Sequence, residues 1–355
     1  MNSTKNKQNK QKQTKTIQDI DAHPTQVSNN TTQQKTQNMN FTCPSQKRLV
    51  LKPIKHQNLW DIFKEQQSVL WTTEEIDWQH DKKDFAKLSK DGQTFLLQII
   101  AFFASSDMLV IDNLMDQFMS EVTVAECRTF YTIQSYTETI HSETYATALE
   151  ILAPHDQAEH LFNAVEREPT IKAKGDFANK YMERARPFWQ RLWAFAIFEG
   201  VLFSASFASL YWLRTKDLCK GLTFSNELIQ RDEGLHAKFA VEMLNMLHEI
   251  EQETVKDIMK EAIDIEIAFV KAALPHNLVG LSTEDMCEYV RYCGDRLLGM
   301  LHLKPLYNAK QPLGFMEMIS IDAKTNFFER RVSEYSMSGV GQTAEANSFS
   351  MDATF

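Results

Sequence analysis

The chain has 355 residues, 43% of them hydrophobic, a formal charge of −9 and five scattered cysteines. That is ample apolar material for a sizeable core, and the acidic balance argues against broad nucleic-acid binding. Cys43, Cys127, Cys219, Cys287 and Cys293 are odd in number and fit neither a disulfide framework nor a zinc spacing. With no apolar leader at the N-terminus, they suggest reduced thiols in the cytoplasm.

Residues 1–45 are rich in Lys, Gln, Asn and Thr and offer almost nothing to bury, so a disordered tail is expected there. From residue 46 to 304, apolar residues recur at intervals of three and four and glycine and proline are sparse. The pattern predicts helices at 57–69, 90–119, 122–152, 156–166, 170–184, 187–215, 224–248, 251–273 and 283–303. Pro187 suits the first turn of a helix and Gly221 the gap between two. No alternating apolar run long enough for a sheet is present, so the fold class is all-α. Gln98, Ser105, Asp107 and Asp112 interrupt the longest apolar stretches, and no membrane span is expected. After Lys304, Pro305, Pro312, Gly314, Gly339 and Gly341 break the pattern, and 305–355 reads as a mostly extended tail. No glycine loop suited to cradling phosphate is evident.

Two copies of Glu-x-x-His carry the chemistry, Glu138–His141 and Glu233–His236. Residues three apart on a helix return to nearly the same face, so each Glu and its His can grip one ion. The bare spacing arises roughly once by chance in such a chain, and the context does the discriminating. Asp107 follows Phe95, Leu96, Leu97, Ile99, Ile100, Phe102 and Phe103, while Glu199 lies between Phe198 and Val201-Leu202-Phe203. An unpaired carboxylate in such a helix costs on the order of several kcal/mol unless it is protonated or paired. One resolution is pairing with Arg184, Arg186, Arg191, Arg214 or Arg231. The other is metal, since four carboxylates and two neutral imidazoles balance two divalent ions. Six such ligands inside a helix bundle match the ferritin-like di-metal arrangement. Carboxylate and nitrogen donors without thiolate suit iron or manganese better than a structural zinc.

Tyr145 lies four residues past His141 on the same face, one turn from the proposed ions. Phe203 and Phe207 follow Glu199 at four and eight, and Ile229 precedes Glu233 by four. Together they would box the tyrosine in apolar surroundings, or they are ordinary core. Asp232 points away from its neighbour Glu233. It is either the carboxylate that takes the other ring proton of His141 or a surface acid.

Several longer segments resemble one family. They are Leu70-Trp71-Thr72-Thr73-Glu74-Glu75, Ala101-Phe102-Phe103-Ala104-Ser105-Ser106-Asp107, Ile140-His141-Ser142-Glu143-Thr144-Tyr145, Phe203-Ser204-Ala205-Ser206-Phe207-Ala208-Ser209, and Gly221 to Ile229 running on through Arg231-Asp232-Glu233-Gly234-Leu235-His236. From about Leu49 to Phe355 the chain resembles the small, radical-generating subunit of class I ribonucleotide reductase, of the eukaryotic type. The resemblance implies a di-iron centre, with manganese the alternative, on Asp107, Glu138, His141, Glu199, Glu233 and His236, and a stable radical on Tyr145. It implies a transfer route through Trp71, Asp232 and Tyr335, a homodimer, and a separate large subunit that reduces ribonucleoside diphosphates. The last residues, Phe349-Ser350-Met351-Asp352-Ala353-Thr354-Phe355, resemble the peptide that docks on that subunit. Thr354 replaces the family's usual acid and Met351 its usual leucine. Two other classes share the ligand bundle, namely substrate-oxidising di-iron enzymes and iron stores. The Phe203, Phe207 and Ile229 box weighs against the first, and Trp71 and the aromatic tail against the second.

Overall fold

The computed structural model describes residues 39–154, 161, 168–247, 250–274 and 280–316. Helix α1 is Gln57–Ser68, α2 Asp81–Phe85, α3 Lys90–Asn113, α4 Met119–Glu121 and α5 Ala125–Leu152. Then come α6 Pro169–Met182, α7 Phe188–Ile197, α8 Ser204–Arg214, α9 Lys220–Asn245, α10 Gln252–Ala273 and α11 Thr283–Met300. Among the described residues there is no strand. Two π-helical segments interrupt longer helices: Leu114–Phe118 joins α3 to α4, and Phe198–Leu202 stands between α7 and α8.

The helix limits follow from local chemistry. Ser89 caps α3 by accepting from the Gly92 N–H, and Ser282 caps α11 by accepting from Asp285. Pro169 occupies the first turn of α6, where a missing N–H costs nothing. Helix α3 packs along α5, α9 packs against α7 and α8, and α1 lies across α5 and α9. Helix α10 packs between α6 and α11. Lys90–Glu121 and Phe188–Arg214 pass the length and composition test for a membrane span, despite the polar interruptions in the first. Their most apolar windows are 67% and 94% buried inside the bundle, which explains that hydropathy as core.

Several limits differ from the expected ones. Helix α2 has five residues, too few to show a period. Helix α9 starts before Gly221, not after it. The Asp81 carboxylate of α2 accepts from the N–H groups of Gly221 (3.0 Å) and Leu222 (2.7 Å) and caps α9 from outside its own sequence. A side chain at Gly221 would set its Cβ 2.5 Å from the Asp77 carbonyl, so this glycine answers a close approach and not a gap. Pro187 sits at the N-cap of α7, just before its first turn. The packed region also extends beyond 46–304. Phe41 is buried, and Thr123 donates to the carbonyls of Phe41 and Cys43. Past Lys304, Asp295 accepts from the backbone of Leu306, Tyr307 and Ala309, and Leu313 and Met316 are buried. Most of the helix expected at 156–166, Tyr335 and Phe349–Phe355 lie outside the described residues.

Candidate metal centre

Four neighbouring helical segments deliver the six expected ligands. Asp107 comes from α3, Glu138 and His141 from α5, Glu199 from the π segment Phe198–Leu202, and Glu233 and His236 from α9. All six are buried. Glu199 stands on a π turn, a distortion frequent at functional sites because it re-aims a side chain without breaking the helix.

The proton inventory of the two histidines decides what faces the centre. His141 Nε2 approaches Asp232 Oδ2 at 3.2 Å. The same carboxylate accepts from Trp71 Nε1 (2.8 Å), Gln66 Nε2 (3.1 Å) and the Arg231 guanidinium. Burial alone would raise the Asp232 pKa, but the His141 hydrogen bond and the Arg231 charge hold it below the usual carboxylate range. It is therefore an acceptor, and His141 carries its proton on Nε2. His236 Nε2 lies 3.1 Å from Thr137 Oγ1, whose own hydrogen goes to the Gln134 carbonyl, so His236 is also the donor there. Each ring thus turns its Nδ1 inward, and that is the nitrogen left bare once the ring is neutral.

Those nitrogens meet carboxylates. His141 Nδ1 is 3.3 Å from Glu138 Oε2 and 3.1 Å from Glu233 Oε1. His236 Nδ1 is 3.0 Å from Glu138 Oε1 and 3.4 Å from Glu233 Oε2. Each of the two glutamates therefore offers one oxygen to each histidine, so either can be shared by two ions. Ligand atoms of Glu138, Glu199, Glu233 and His236 all lie within 4.8 Å of one another. Two atoms on opposite sides of one ion at about 2.2 Å each stand about 4.4 Å apart. Asp107 lies outside that group, and its charge interacts with Glu138, His141 and Glu233. The arrangement thus has a His141–Asp107 side, a His236–Glu199 side, and Glu138 and Glu233 between them.

Neither oxygen of Asp107 finds a hydrogen-bond donor, and Glu199 meets only the carboxylate of Glu233. The arginines are engaged elsewhere: Arg184 and Arg191 with Glu121, Arg214 with Glu227 and Arg231 with Asp232, while Arg186 donates to the Lys180 carbonyl and lies over Tyr181. Burial, and then the neighbouring carboxylates, push Asp107 and Glu199 well above the usual range. Burial would lower His236, but Glu138 and Glu233 raise it to about 9. Such a cluster holds protons where cations would otherwise sit, so the donor set fits a pair of divalent ions.

Tyr145 is wholly buried and stacks on Phe103, with ring centroids 4.6 Å apart. Phe103 also meets Phe203 (5.2 Å) and Phe207 (4.8 Å), and Ile229 is buried on the same face of α9 as Glu233. The Tyr145 hydroxyl points to Asn226 Oδ1 at 3.5 Å. Burial, followed by the charges of Asp107 and Glu233, pushes its phenol well up. Trp71, also buried, stacks at 6.1 Å on the His141 ring. Its hydrogen bond to Asp232 completes the series Trp71, Asp232, His141. Phe103, Asn226, Thr137 and Gln66 were not singled out as site residues by sequence. The first two were within reach: Phe103 precedes Asp107 by four, and Asn226 precedes Glu233 by seven, two helical turns on one face.

The family model described as ribonucleotide reductase, small chain, matches residues 48–312. The chain belongs to the ribonucleotide reductase small-chain family. It is 43% identical over 314 residues to the ribonucleoside-diphosphate reductase small chain of Vaccinia virus, covering 88% of this chain and 98% of that one. It is 41% identical over 315 residues to the small chain of Spisula solidissima, covering 87% of this chain and 82% of that one. The solved ribonucleotide reductase Rnr4 homodimer from Saccharomyces cerevisiae superposes with a TM-score of 0.71 at 30% identity, covering 82% of this chain and 90% of that one. The bundle is therefore the ferritin-like fold of these proteins, and the chain is a metal-dependent small subunit of an oxidoreductase that works with a large subunit.

Proposed function

We propose that this small subunit binds two iron ions on Asp107, Glu138, His141, Glu199, Glu233 and His236, forms a radical on Tyr145, and passes the oxidising equivalent to its large subunit for reduction of ribonucleoside diphosphates. The observation that carries this reading is the pair of inward Nδ1 atoms facing buried carboxylates, with no arginine, lysine or backbone N–H donating to Asp107 or Glu199. Iron and manganese both suit the donors, and iron is preferred on the family resemblance. Once reacted with O2, the bound pair supplies the one-electron oxidising power that a phenol requires.

The protein's own groups do the rest. Asp232 holds the Nε2 proton of His141, so that Nδ1 is the nitrogen the ring gives to an ion. Phe103, Phe203 and Phe207 keep water from the Tyr145 ring. The raised phenol holds its proton until the electron leaves. Asn226 is an amide and cannot carry that proton away, so it departs toward the carboxylate side, where Asp107 acts on the phenol. Trp71 Nε1–H, hydrogen-bonded to Asp232, begins the outward route, which continues by way of Tyr335. Phe349–Phe355 docks on the large subunit. A second copy of the chain covers the exposed apolar residues Met108 and Leu109 of α3, Met115 of the π segment Leu114–Phe118 and Tyr136 of α5, in keeping with the homodimeric yeast relative. All five cysteines are free, which suits the cytoplasm.

Anaerobic titration with ferrous ion tests the centre. The expected result is two ions per chain with protons released. His236, raised to about 9, and the raised Asp107 and Glu199 are protonated below their folded pKa values and must lose protons as ions bind. Affinity therefore rises with pH up to about 9 and falls in acid. Uptake of only a trace of iron contradicts the reading.

A further inference from the structure

Lys174 of α6 and Glu266 of α10 form a 2.6 Å ion pair in which both side chains are wholly buried. Neither belongs to the ligand set or to the route through Trp71. A buried ion pair is costly to desolvate and often no more stable than an apolar pair of the same shape, so stability alone does not account for it. Its other contacts do. Lys174 Nζ donates to the Leu202 carbonyl (2.9 Å), and Glu266 Oε1 accepts from the Ala205 N–H (3.2 Å). Leu202 ends the π segment that carries Glu199, and Ala205 lies in the first turn of α8. Where a π turn gives way to an α-helix the hydrogen-bond register changes, and backbone groups there need outside partners. The pair supplies one donor and one acceptor at that junction. The ammonium is also held between the rings of Phe102 (4.2 Å) and Phe269 (3.8 Å).

No arginine, lysine or backbone N–H donates to either Glu199 oxygen, and its one hydrogen-bonding neighbour is Glu233, the very group it must be set against. Its position is therefore set by the backbone beneath it. Reversion of the π turn to regular helix would rotate one flank against the other by about 100° for the extra residue. We propose that Lys174 and Glu266 are a positioning pair that fixes the π segment through Leu202 and Ala205 and so sets Glu199 against Glu233 and His236. This rests on the di-metal reading above. It assigns to the pair the binding of the ion on the Glu199 side, and leaves the ion on the Asp107 side independent of it.

Two double variants separate this role from plain packing. Lys174→Gln with Glu266→Gln keeps a donor for Leu202 and an acceptor for Ala205 without charge. Lys174→Met with Glu266→Leu keeps the volume and supplies neither. Each is titrated anaerobically with Mn(II), and EPR counts isolated and spin-coupled ions, with thermal melting as the check on folding. The expected result is two coupled ions in the parent and, within about threefold in affinity, in the amide pair. The apolar pair should bind its first ion as the parent does and its second at least tenfold more weakly. Parent-like second-ion binding in the apolar pair, or equal loss in both pairs, overturns the proposal while the parent's two ions leave the metal reading intact. A parent that binds no second ion overturns both. If the apolar pair does not fold, the comparison passes to Lys174→Met against Lys174→Gln, which differ in the donor offered to Leu202. Weaker second-ion binding in the methionine variant supports the proposal, and equal binding overturns it.

Discussion

One carboxylate, Asp232, serves two purposes at once. Its Oδ2 accepts from both Trp71 and His141, and its Oδ1 accepts from Gln66 and Arg231. The anion fixes the His141 tautomer and ties the indole to the centre. Asp232→Asn keeps the shape and removes the charge that enforces the tautomer. Loss of a ligand's outer partner of this kind typically weakens metal binding by about 10–100-fold, which ferrous titration will show as a weaker site on the His141 side. Unchanged affinity would count against the tautomer argument. The buried acids and histidines that the structure brings together were legible in sequence because a lone acid in an apolar helix has few physical explanations. Asp232 was left open between a ring partner and a surface acid, because adjacency to Glu233 says only where it does not point. Gln66 and Thr137 were illegible, since their partners are set by how α1 meets α9 and α5 meets α9.

At the level of helices, the long periodic segments were readable and their interruptions were not. The pattern over 187–215 reads as one helix, and the structure inserts the π segment Phe198–Leu202 within it. A π turn uses the same side chains as the helix around it, and what stabilises it here, Lys174 and Glu266, comes from α6 and α10. The start of α9 was misread for a similar reason. Glycine signals a break locally, but Asp81 reaches across from α2 to cap the helix through Gly221 and Leu222. Gly221→Ala would press its Cβ to within 2.5 Å of the Asp77 carbonyl. Overpacking of this kind costs about 1–3 kcal/mol. Chemical denaturation should show that loss, and an unchanged midpoint would mean that the Asp77 loop yields freely.

For the molecule as a whole, the all-α class and the ferritin-like bundle followed from periodicity and motif. The edges of the packed region did not. Phe41 stands in a polar stretch and Leu313 beside Pro312 and Gly314, neither with a helical period around it, and only their burial reveals them as core. Tyr335 and Phe349–Phe355 are assigned by resemblance. Deleting residues 349–355 should leave iron content and the Tyr145 radical intact while lowering affinity for the large subunit at least tenfold. Sedimentation or surface-binding measurements would reveal this, and undiminished affinity would remove the docking role.

The central claim is that buried carboxylates and imidazoles hold an oxidisable metal pair within reach of the Tyr145 phenol. Addition of ferrous ion and O2 to the protein, followed by EPR of the parent and of Tyr145→Phe, tests it most directly. The account predicts a sharp tyrosyl signal in the parent and its loss in the variant, with equal metal content in both. A tyrosyl signal that survives the substitution, or none in a fully loaded parent, would contradict it.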